Sequence, residues 1–584
     1  LELEPELKQL YDEDDESREI IDLAQRMEGC ARQTGVHAAG VVIAPTPLTD
    51  WTPVQLDPKT GKLITQYDMH AVEDVGLLKF DFLGIKNLAI IADAVERIRE
   101  GKGIYIDIEN IPIDDSNTYA MLARGETEGT FQLNGSGMTR YLKELRPTTI
   151  HDINAMVALY RPGPMETIPQ YIERKRNPRM VTYLDERMKD YLDTSYGLLV
   201  YQDDVLLTAI TLGGYSWLEA DTLRKAMGKK IPAEMEAQKE KLLSGFMDHG
   251  KLTRAKAEQI WKLIEPFAAY GFNKAHAACY GKVAYQTSYL KANHPVEYMA
   301  ALLTADAGDT ESIAILVAES DRLGIPVLPP DINESGTDFT VAGANRDTIR
   351  FGLTSIKNFG EGISHAIINE RKNGGPFATL SEFLSRVGSK NLNRKSLESL
   401  IKCGALDTFG SRAHLYAHIE ALLSFHRDTT AAAPQDSLFG SLMSTAPTLT
   451  LPPDTHETTL IDKLTWEKEL LGIYVSGHPL DSHTDMSAKA GTSIGSLKVE
   501  PKAGMTVIIP VLILDVRSIL TKKGDKMAFV KFEDKTDSIE GVVFPKLYAE
   551  HSKLLEPGKC ILLKAAVSTR NGEVTLTVDN MKAL

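Results

Sequence analysis

The chain has 584 residues, of which 43% are hydrophobic and 25% are charged, and its formal net charge is −15 at pH 7. These values are typical of a folded protein with several domains, because a single hydrophobic core stops growing at about 250–300 residues. No apolar run approaches the ~18 residues that span a membrane, so we expect no membrane partner. The acidic balance argues mildly against nucleic acid as a partner, although a basic groove can form on an acidic body.

The first residue is Leu1, from which we expect a fragment or a processed piece of a longer protein. Four cysteines are scattered without paired spacing: Cys30, Cys279, Cys403 and Cys560. Such spacing is typical of thiols in a reducing compartment and not of a zinc site or a disulfide framework. No signal peptide opens the chain, and the sequence predicts a cytoplasmic location.

The amino-terminal stretch combines an acidic run at 12–16 with apolar residues at helical spacing from Ile20 to Met27. This pattern predicts a helix with a solvated charged face. Small residues then lead into 41–44, which predict a buried strand. His37 precedes this strand, where it could contact a phosphate or serve as a structural hydrogen-bonding group.

The segment 76–84 places Lys79 and Asp81 among apolar residues at 77, 78, 80, 82 and 83. The pattern predicts a short buried strand on which both charged side chains leave the same face. A buried carboxylate is costly without a charged partner, and a divalent metal at the strand end would supply one. Mg²⁺ prefers oxygen ligands and substrate phosphates. A structural Lys–Asp pair is the alternative interpretation.

A long helical region follows from Asn87, and two of its segments carry clustered cations. The segment 221–230 contains Arg224, Lys225 and two further lysines, a group suited to a multiply charged anion or to an exposed basic helix. In the segment 270–280, Gly271 makes a turn that places Asn273, Lys274 and His276 at a helix start. Helix N-termini favour anions through free N–H groups, so this segment predicts a phosphate-binding site.

Three features follow the helical region. Lys357, Gly360 and Gly362 form a glycine-containing turn before a helix, which either presents N–H groups to a DNA phosphate or is an ordinary helix turn. Residues 427–456 are rich in Ala, Pro, Thr and Ser and predict a flexible linker. Alternating apolar residues in 503–584 predict five strands, with a helix between the third and fourth, in the order of an OB-fold.

The barrel segment and the linker each carry candidate binding residues. In the barrel, the predicted hairpin tip with Lys522, Lys523 and Lys526 precedes Phe529, so charge and stacking could hold single-stranded template. A structural domain with a solvated loop is the alternative. In the linker, a glutamine precedes a leucine–phenylalanine pair that could dock into a groove: Gln435, Leu438 and Phe439.

Taken together, the segments 79–84, 161–164, 223–230 and 271–276 resemble the family C replicative DNA polymerases of bacteria, the alpha catalytic subunits of DNA polymerase III. The resemblance runs in order along the whole chain. It implies a multidomain α+β protein with part of a polymerase-beta-like palm, large helical fingers, a helix-hairpin-helix region and an OB-fold. It also implies these boundaries: end of the thumb 1–28, palm 29–88, fingers 89–335, helix-hairpin-helix region 336–426, linker 427–460, connecting segment 461–502 and OB-fold 503–584.

The resemblance further implies roles for individual residues. Asp81 matches one of three metal-binding aspartates, with Lys79 beside it. Six residues match family positions around the incoming triphosphate: Lys79, Arg224, Lys225, Asn273, Lys274 and His276. Lys79 is expected to act in catalysis with Asp81, and Arg161 is expected to bind the nucleotide as well. The linker pentapeptide is similar to motifs that hold a sliding clamp. Lys225 stands where the family pattern leads us to expect a second arginine, and Asn134 replaces an expected glutamate.

The other two metal-binding aspartates belong to a Pro-Asp-x-Asp motif that this sequence does not contain. The resemblance therefore predicts part of a catalytic subunit that adds deoxynucleoside triphosphates to a primer 3′-hydroxyl with two Mg²⁺ ions. Expected partners are primer–template DNA, deoxynucleoside triphosphates, a sliding clamp and other replicase subunits. This part alone is expected to be inactive, and a non-catalytic DNA- and clamp-binding module is the alternative.

Overall fold

The computed structural model describes residues 4–32, 34–229, 232–265, 271–388, 392–431, 449–453, 457–483, 492–499, 504–521, 524–570 and 573–584. The chain divides into two compact units, Leu1–Lys86 and Asn87–Leu584. Within the described residues, no helix is both long enough and apolar enough to cross a lipid bilayer.

The first unit is α+β. Its helices are α1 (Pro5–Glu13), α2 (Asp15–Met27) and α3 (Ala71–Asp74), and its strands are β1 (Gly40–Ile43), β2 (Val54–Leu56), β3 (Leu63–Thr65) and β4 (Leu78–Asp81). Asp14 caps α2 by accepting a hydrogen bond from the Ser17 N–H. The strands form two antiparallel pairs, β1 with β4 and β2 with β3.

The prediction of a buried strand around Asp81 is wrong in this structure. Leu77 is buried, but Leu78 and Phe80 are exposed, and Phe82 and Leu83 beyond the strand are more exposed still. The physical reason is the size of the sheet: among the described residues β4 pairs only with β1, from Gly40 opposite Asp81 to Ile43 opposite Leu78. A two-stranded ribbon has too little surface to bury both faces of a strand.

The second unit begins with a helical region whose elements are α4 (Lys86–Lys102), α5 (Ser116–Arg124), α6 (Ser136–Leu145), α7 (Ile150–Leu159), α8 (Ile168–Arg176), α9 (Lys189–Leu192), α10 (Gln202–Gly213), α11 (Trp217–Lys229), α12 (Pro232–Asp248), α13 (Arg254–Ile264), α14 (Lys274–Asn293), α15 (Pro295–Ala305) and α16 (Thr310–Arg322). These helices share several hydrophobic cores. One core joins α5–α8 to α14, and another joins α10–α13.

The helix α14 is the central element of this region. It packs against α7 and α5, and small residues at the contact let the backbones approach closely. Gly281 is one of them, because a Cβ there would lie 1.8 Å from Oδ1 of Asn154. The buried face of α14 fixes where the helix begins, and therefore where Lys274 and His276 lie.

A mixed region follows, with a three-stranded sheet of β5 (Val327–Leu328), β6 (Thr340–Ala342) and β7 (Thr348–Arg350) in the order β5-β7-β6. Its helices are α17 (Glu361–Gly374), α18 (Leu380–Arg386), α19 (Arg394–Lys402), α20 (Arg412–Ala417), α21 (Ile419–Ala431) and α22 (Leu460–Leu471). The helix α22 packs against α19. These elements share one large core with α4, α15 and α16.

The chain ends in a closed five-stranded barrel, after α23 (Ile494–Val499). The strands are β8 (Thr506–Leu520), β9 (Lys526–Glu533), β10 (Ser538–Val543), β11 (Cys560–Arg570) and β12 (Glu573–Ala583), with α24 (Pro545–His551) between the third and fourth. They close in the order β10-β12-β11-β8-β9. Burial alternates along β9, as period-two patterning requires. The barrel and the helical regions confirm the multidomain α+β prediction.

Candidate nucleotide and nucleic-acid sites

The start of α14 is held in place by the segment that begins α10. Tyr201 and Phe272 form a parallel β-bridge. The Gln202 N–H donates to the Phe272 carbonyl at 2.9 Å, and the Gln202 side chain donates to the Gly271 carbonyl, also at 2.9 Å. The turn at Gly271 and the helix start at Lys274 lie where the sequence predicts them.

Two of the first N–H groups of α14 already have protein partners. Asn273 caps the helix, with its side-chain oxygen accepting from the His276 N–H at 2.9 Å. A carboxylate oxygen of Asp203 accepts from the Lys274 N–H at 2.9 Å. The prediction of free N–H groups for an anion is therefore wrong at these two positions, because side chains satisfy them locally. Any anion here would be bound mainly by side chains.

The guanidinium of Arg161 lies over the Phe272 ring, with Cζ 3.5 Å from the ring centre. Within the described part of the chain, Arg161 makes no ion pair with a carboxylate, and burial lowers its pKa. A half-buried cation without a counter-ion is expensive, so this position is suited to bind an anion from outside the chain.

A lysine and a histidine lie on the same helix start beside aromatic rings. The His276 ring stacks on Tyr280 at 4.3 Å and meets Phe272 edge-on at 5.1 Å. The Lys274 ammonium lies 5.4 Å from the centre of the Tyr201 ring. Neither Lys274 nor His276 pairs with a carboxylate among the residues described. We refer to Arg161, Lys274 and His276 as the α14 cation group.

The neighbouring Asp204 is fully buried at the start of α10. One of its carboxylate oxygens accepts from the Val200 and Tyr201 N–H groups, each at 2.9 Å. The other oxygen is buried without a hydrogen-bond partner. Burial raises the pKa of Asp204 to about 6, while the backbone donors and the positive charge of Lys274 act in the opposite direction.

The second predicted cation group has a different environment. The guanidinium of Arg224 donates to Oδ1 of Asp221 at 2.8 and 3.0 Å, and Lys225 pairs with the other oxygen at 2.9 Å. Hydrogen bonds from Lys225 and Arg224 lower the pKa of the Asp221 carboxyl. Both cations thus share one carboxylate within α11, which offsets one of their two positive charges. An anion bound by this group would compete with Asp221 for some of the same donors.

In the first unit, Asp81 lies near two cationic or polar side chains. Its carboxylate is 3.9 Å from the Lys79 ammonium and 3.8 Å from Nε2 of His37, and about half of its side chain is exposed. The described residues contain no group of three or more His, Cys, Asp or Glu side chains arranged to hold a metal. Asp81 supplies one carboxylate, which does not fit a two-ion site by itself.

The turn before α17 carries the next predicted residues. Gly360 caps α17 without a side-chain hydrogen bond, and nothing lies within 4 Å of where its Cβ would be. Asn358 in this turn has φ 68°, the left-handed conformation. The backbone of Lys357 is already used, since its N–H donates to the Leu470 carbonyl at 2.9 Å and its carbonyl accepts from Ser399. Lys357, Gly360 and Gly362 are all exposed residues.

In the barrel, Phe529 lies on β9 opposite Arg517 of β8, whose guanidinium is 5.3 Å from the centre of the ring. Lys526 is exposed at the start of β9. Lys522 and Lys523 at the predicted hairpin tip lie outside the described residues, and so do Gln435, Leu438 and Phe439 of the linker.

Sequence reasoning missed the residues that position the α14 cation group. Asp203 and Gln202 lie in an ordinary amphipathic pattern, and no local signal relates them to a turn that follows 69 to 71 residues later. Phe272 lies within the segment 270–280, but its contact with Arg161 is a tertiary contact that the local pattern does not indicate. The one available signal was the pair of adjacent aspartates, Asp203 and Asp204, at a helix start.

Four family models match parts of the chain. The "Bacterial DNA polymerase III alpha NTPase domain" matches residues 1–84, and the "Bacterial DNA polymerase III alpha subunit finger domain" matches 87–250. A "Helix-hairpin-helix motif" matches 324–415, and an "OB-fold nucleic acid binding domain" matches 507–584. The α14 cation group has Arg161 inside the finger range, while Lys274 and His276 lie beyond it.

Curated relatives match almost the whole chain. The DNA polymerase III subunit alpha of Thermus aquaticus is 41% identical over 96% of this chain and 46% of its own length. The subunits from Aquifex aeolicus and Mycobacterium tuberculosis strain H37Rv are 39% and 38% identical over 95% and 99% of this chain. The chain spans about half the length of these relatives. The chain belongs to the family of bacterial DNA polymerase III alpha subunits.

Proposed function

We propose that this chain is part of the catalytic subunit of a replicative DNA polymerase. The complete subunit would add deoxynucleoside triphosphates to a primer 3′-hydroxyl on a DNA template. Family membership and the finger-domain match support this proposal. A cytoplasmic location and association with other replicase subunits belong to the same proposal.

The observation that carries the proposal is the α14 cation group. Three cationic or ionisable side chains, Arg161, Lys274 and His276, lie against aromatic rings without a carboxylate partner in the described chain. A triphosphate supplies the missing negative charge, and charge-assisted hydrogen bonds to phosphate are about twice as strong as neutral ones. Arg161 offers a planar fork to two oxygens, whereas Lys274 acts as a point charge. Asn273 acts indirectly, because it caps the helix that carries Lys274 and His276.

Two Mg²⁺ ions are part of the proposal for the complete enzyme. Asp81 would hold an ion with one carboxylate, and the metals would neutralise charge on the phosphates in the in-line displacement. Since the described residues do not by themselves fit a two-ion site, we assign them no metal-dependent step. Lys79 would hold Asp81 in place through their ion pair.

DNA contacts are proposed for two further regions. The N–H groups at the start of α17, beside Gly360 and Gly362, are suited to a phosphate, and Lys357 adds a positive charge. In the barrel, Phe529 would stack on a base, with Lys522, Lys523 and Lys526 along the DNA backbone.

Gln435, Leu438 and Phe439 would bind a sliding clamp. Arg224 and Lys225 would contact the triphosphate in competition with Asp221.

A second candidate function is a non-catalytic module that binds DNA and the clamp. The single carboxylate near β4 favours it, because two-metal phosphoryl transfer requires more ligands than Asp81 provides. The two functions differ in whether the α14 cation group binds nucleotide.

The test is a titration of the chain with a fluorescent deoxyadenosine triphosphate, in the presence of primer–template and Mg²⁺. Lys274→Gln should weaken binding by at least about tenfold, since a hydrogen bond to a charged group contributes roughly 1.5–3 kcal/mol. Lys282→Gln is the matched control on the same helix, because Lys282 pairs with Glu109. Equal affinities for the wild type and both variants would refute the proposed nucleotide site.

A further inference from the structure

Five exposed cations on and beside α6 and α8 have no carboxylate partner in the part of the chain that the structure describes. They lie on two neighbouring elements: Arg140, Lys143, Arg146, Arg176 and Arg179. We call this the α6–α8 surface. It is separate from the α14 cation group in its residues, and the proposed nucleotide site does not use it.

Hydrogen bonds fasten the two elements of this surface together. The Lys175 ammonium donates to the Arg146 carbonyl at 2.7 Å and to the buried carboxylate of Asp152 at 2.7 Å. The Arg176 guanidinium donates to the Glu144 carbonyl at the end of α6. A depression of about 510 Å³ lies at this junction, lined by Leu145, Arg146, Lys175 and Arg176. The surface is therefore a concave, preorganised array of positive charge.

The lack of a carboxylate partner on these five clustered side chains contrasts with several surface cations elsewhere in the unit. Arg99 pairs with Glu96, Lys239 with Glu236, and Arg254 with Glu258: these are intrahelical pairs of the kind that neutralise a surface helix. In a chain with a net charge of −15, carboxylates are plentiful. Glu144 and Glu173 line a depression with Arg176, and Glu126, Glu128 and Glu319 line another with Lys143, but none of them pairs with one of the five cations in the described residues.

Arg146 also occupies an unfavourable backbone position. It caps the C-terminus of α6 with φ 50°, in the left-handed region where glycine or asparagine is preferred. A non-glycine residue there costs roughly 1 kcal/mol or more. This cap places the exposed side chain of Arg146 beside Arg176 at the depression.

We propose that the α6–α8 surface binds the phosphate backbone of a nucleic acid strand. Phosphodiesters supply a regular row of negative charges, and arginine binds them through two parallel hydrogen bonds. The same unit contains a region that matches a nucleic acid binding domain, which favours nucleic acid over an acidic protein as the occupant. Backbone binding of this kind is independent of sequence. The choice of nucleic acid as the ligand rests on the proposed function. The presence of the array of positive charges is independent of that function.

The test is the salt dependence of DNA binding by the whole chain, measured by fluorescence anisotropy between about 50 and 200 mM salt. The variant carries Arg140→Gln, Arg146→Gln and Arg179→Gln, which spares Arg176 and its bond to Glu144. The control carries Arg99→Gln, Lys239→Gln and Arg254→Gln, with the same change in net charge. Binding is measured separately for single-stranded and for duplex DNA. Polyglutamate is added as a competitor for the bound DNA.

Each lost phosphate contact should reduce the steepness of log K against log salt by roughly 0.7–0.9. The triple variant should therefore reduce it by about 2–3 and weaken DNA binding at least about tenfold at low salt. The arm with the larger change identifies the strand type. An unchanged slope, an equal change in the control, no DNA binding by the wild type, or equally strong competition by polyglutamate would overturn the inference. Nucleotide binding is measured in a separate titration. The proposed nucleotide site can therefore be refuted while DNA binding by the α6–α8 surface is supported, and DNA binding can be refuted while the nucleotide site is supported.

Discussion

The guanidinium carbon of Arg161 lies 3.5 Å from the centre of the Phe272 ring, although the two residues belong to distant parts of the chain. The contact holds a half-buried cation at the start of α14 while leaving its N–H donors without a carboxylate partner in the described residues. Cation–π contacts contribute about 0.5–2 kcal/mol, depending on desolvation. The ring thus orients Arg161 without neutralising it.

This arrangement predicts that Arg161 and Phe272 act as one unit in nucleotide binding. In a double-mutant cycle, Arg161→Gln and Phe272→Leu should each weaken triphosphate binding, and their combined effect should be smaller than the sum by about 0.5–2 kcal/mol. Isothermal titration with a deoxynucleoside triphosphate measures the cycle. Strict additivity would show that the ring does not position the guanidinium.

The bond from the Lys274 N–H to Asp203 predicts a local effect on stability. Asp203→Ala should destabilise the first turn of α14 by about 1 kcal/mol, as the loss of a helix cap does. Asp203→Asn is the control, because its amide oxygen can still accept the bond. Hydrogen exchange at residues 274–278 should accelerate in the alanine variant alone, and equal exchange in both variants would contradict the assignment.

The buried carboxyl of Asp204 predicts a pH-dependent term in stability. Its pKa is about 6 in the folded protein against 3.8 for the free side chain, so the folded state binds the proton more tightly than the unfolded state. Stability from this group is therefore fully present below pH 3.8 and is lost as the pH rises through 6. The shift corresponds to a free energy of roughly 3 kcal/mol at most.

Asp204→Asn should remove this dependence, since the amide keeps an acceptor for Val200 and Tyr201 without carrying a charge. The free energy of unfolding of the variant should exceed that of the wild type above pH 6 and match it near pH 4. Urea unfolding at both pH values measures the difference. A constant difference between the two proteins across this range would contradict the raised pKa.

The buried pair of Arg412 and Glu467 predicts a large structural effect. Both side chains are almost completely buried, and the Glu467 carboxylate also accepts from the Val475 and Ser476 N–H groups at 2.9 and 2.8 Å. Because Glu467 lies on α22 and Arg412 on α20, the pair fastens the segment after the linker to the region before it. Glu467→Ala should destabilise this region by about 3–5 kcal/mol.

An exposed pair supplies the control for that measurement. Glu258→Ala removes one of two surface partners of Arg254, the other being Glu240, and should change stability by less than about 1 kcal/mol. The two variants are compared by thermal unfolding, with proteolytic cleavage within residues 457–483 as the measure of unfolding. Similar shifts for both would show that the buried pair does not hold the segment.

Much of the fold could be predicted because its signals are local. The turn at Gly271 and the cap at Asn273 mark the start of α14, and alternating residues such as Ala528, Val530 and Phe532 predict a barrel strand. The exposure of Phe80 could not be predicted in the same way. A strand's pattern shows that it can be buried, but burial depends on which other strands and helices cover it.

The candidate site was predictable in its cations but not in their partners. A run of basic residues predicts an anion site equally well around Arg224 and around Lys274. The structure distinguishes them, because Arg224 and Lys225 both pair with Asp221 in their own helix, whereas no described carboxylate pairs with the side chains of the second group. The anchoring of Lys274 by Asp203 is a tertiary contact, and such contacts leave no periodic signal in the sequence.

The central claim, that the α14 cation group binds an incoming triphosphate, is tested most directly by photo-crosslinking. An azido-substituted deoxyadenosine triphosphate is bound to the chain with primer–template and Mg²⁺, irradiated, and the labelled peptide is identified by mass spectrometry. The account predicts label within residues 271–293, at or near Tyr280, and its loss when unlabelled triphosphate competes. Competed label confined to residues 217–229, or no competed label in either segment, would contradict it.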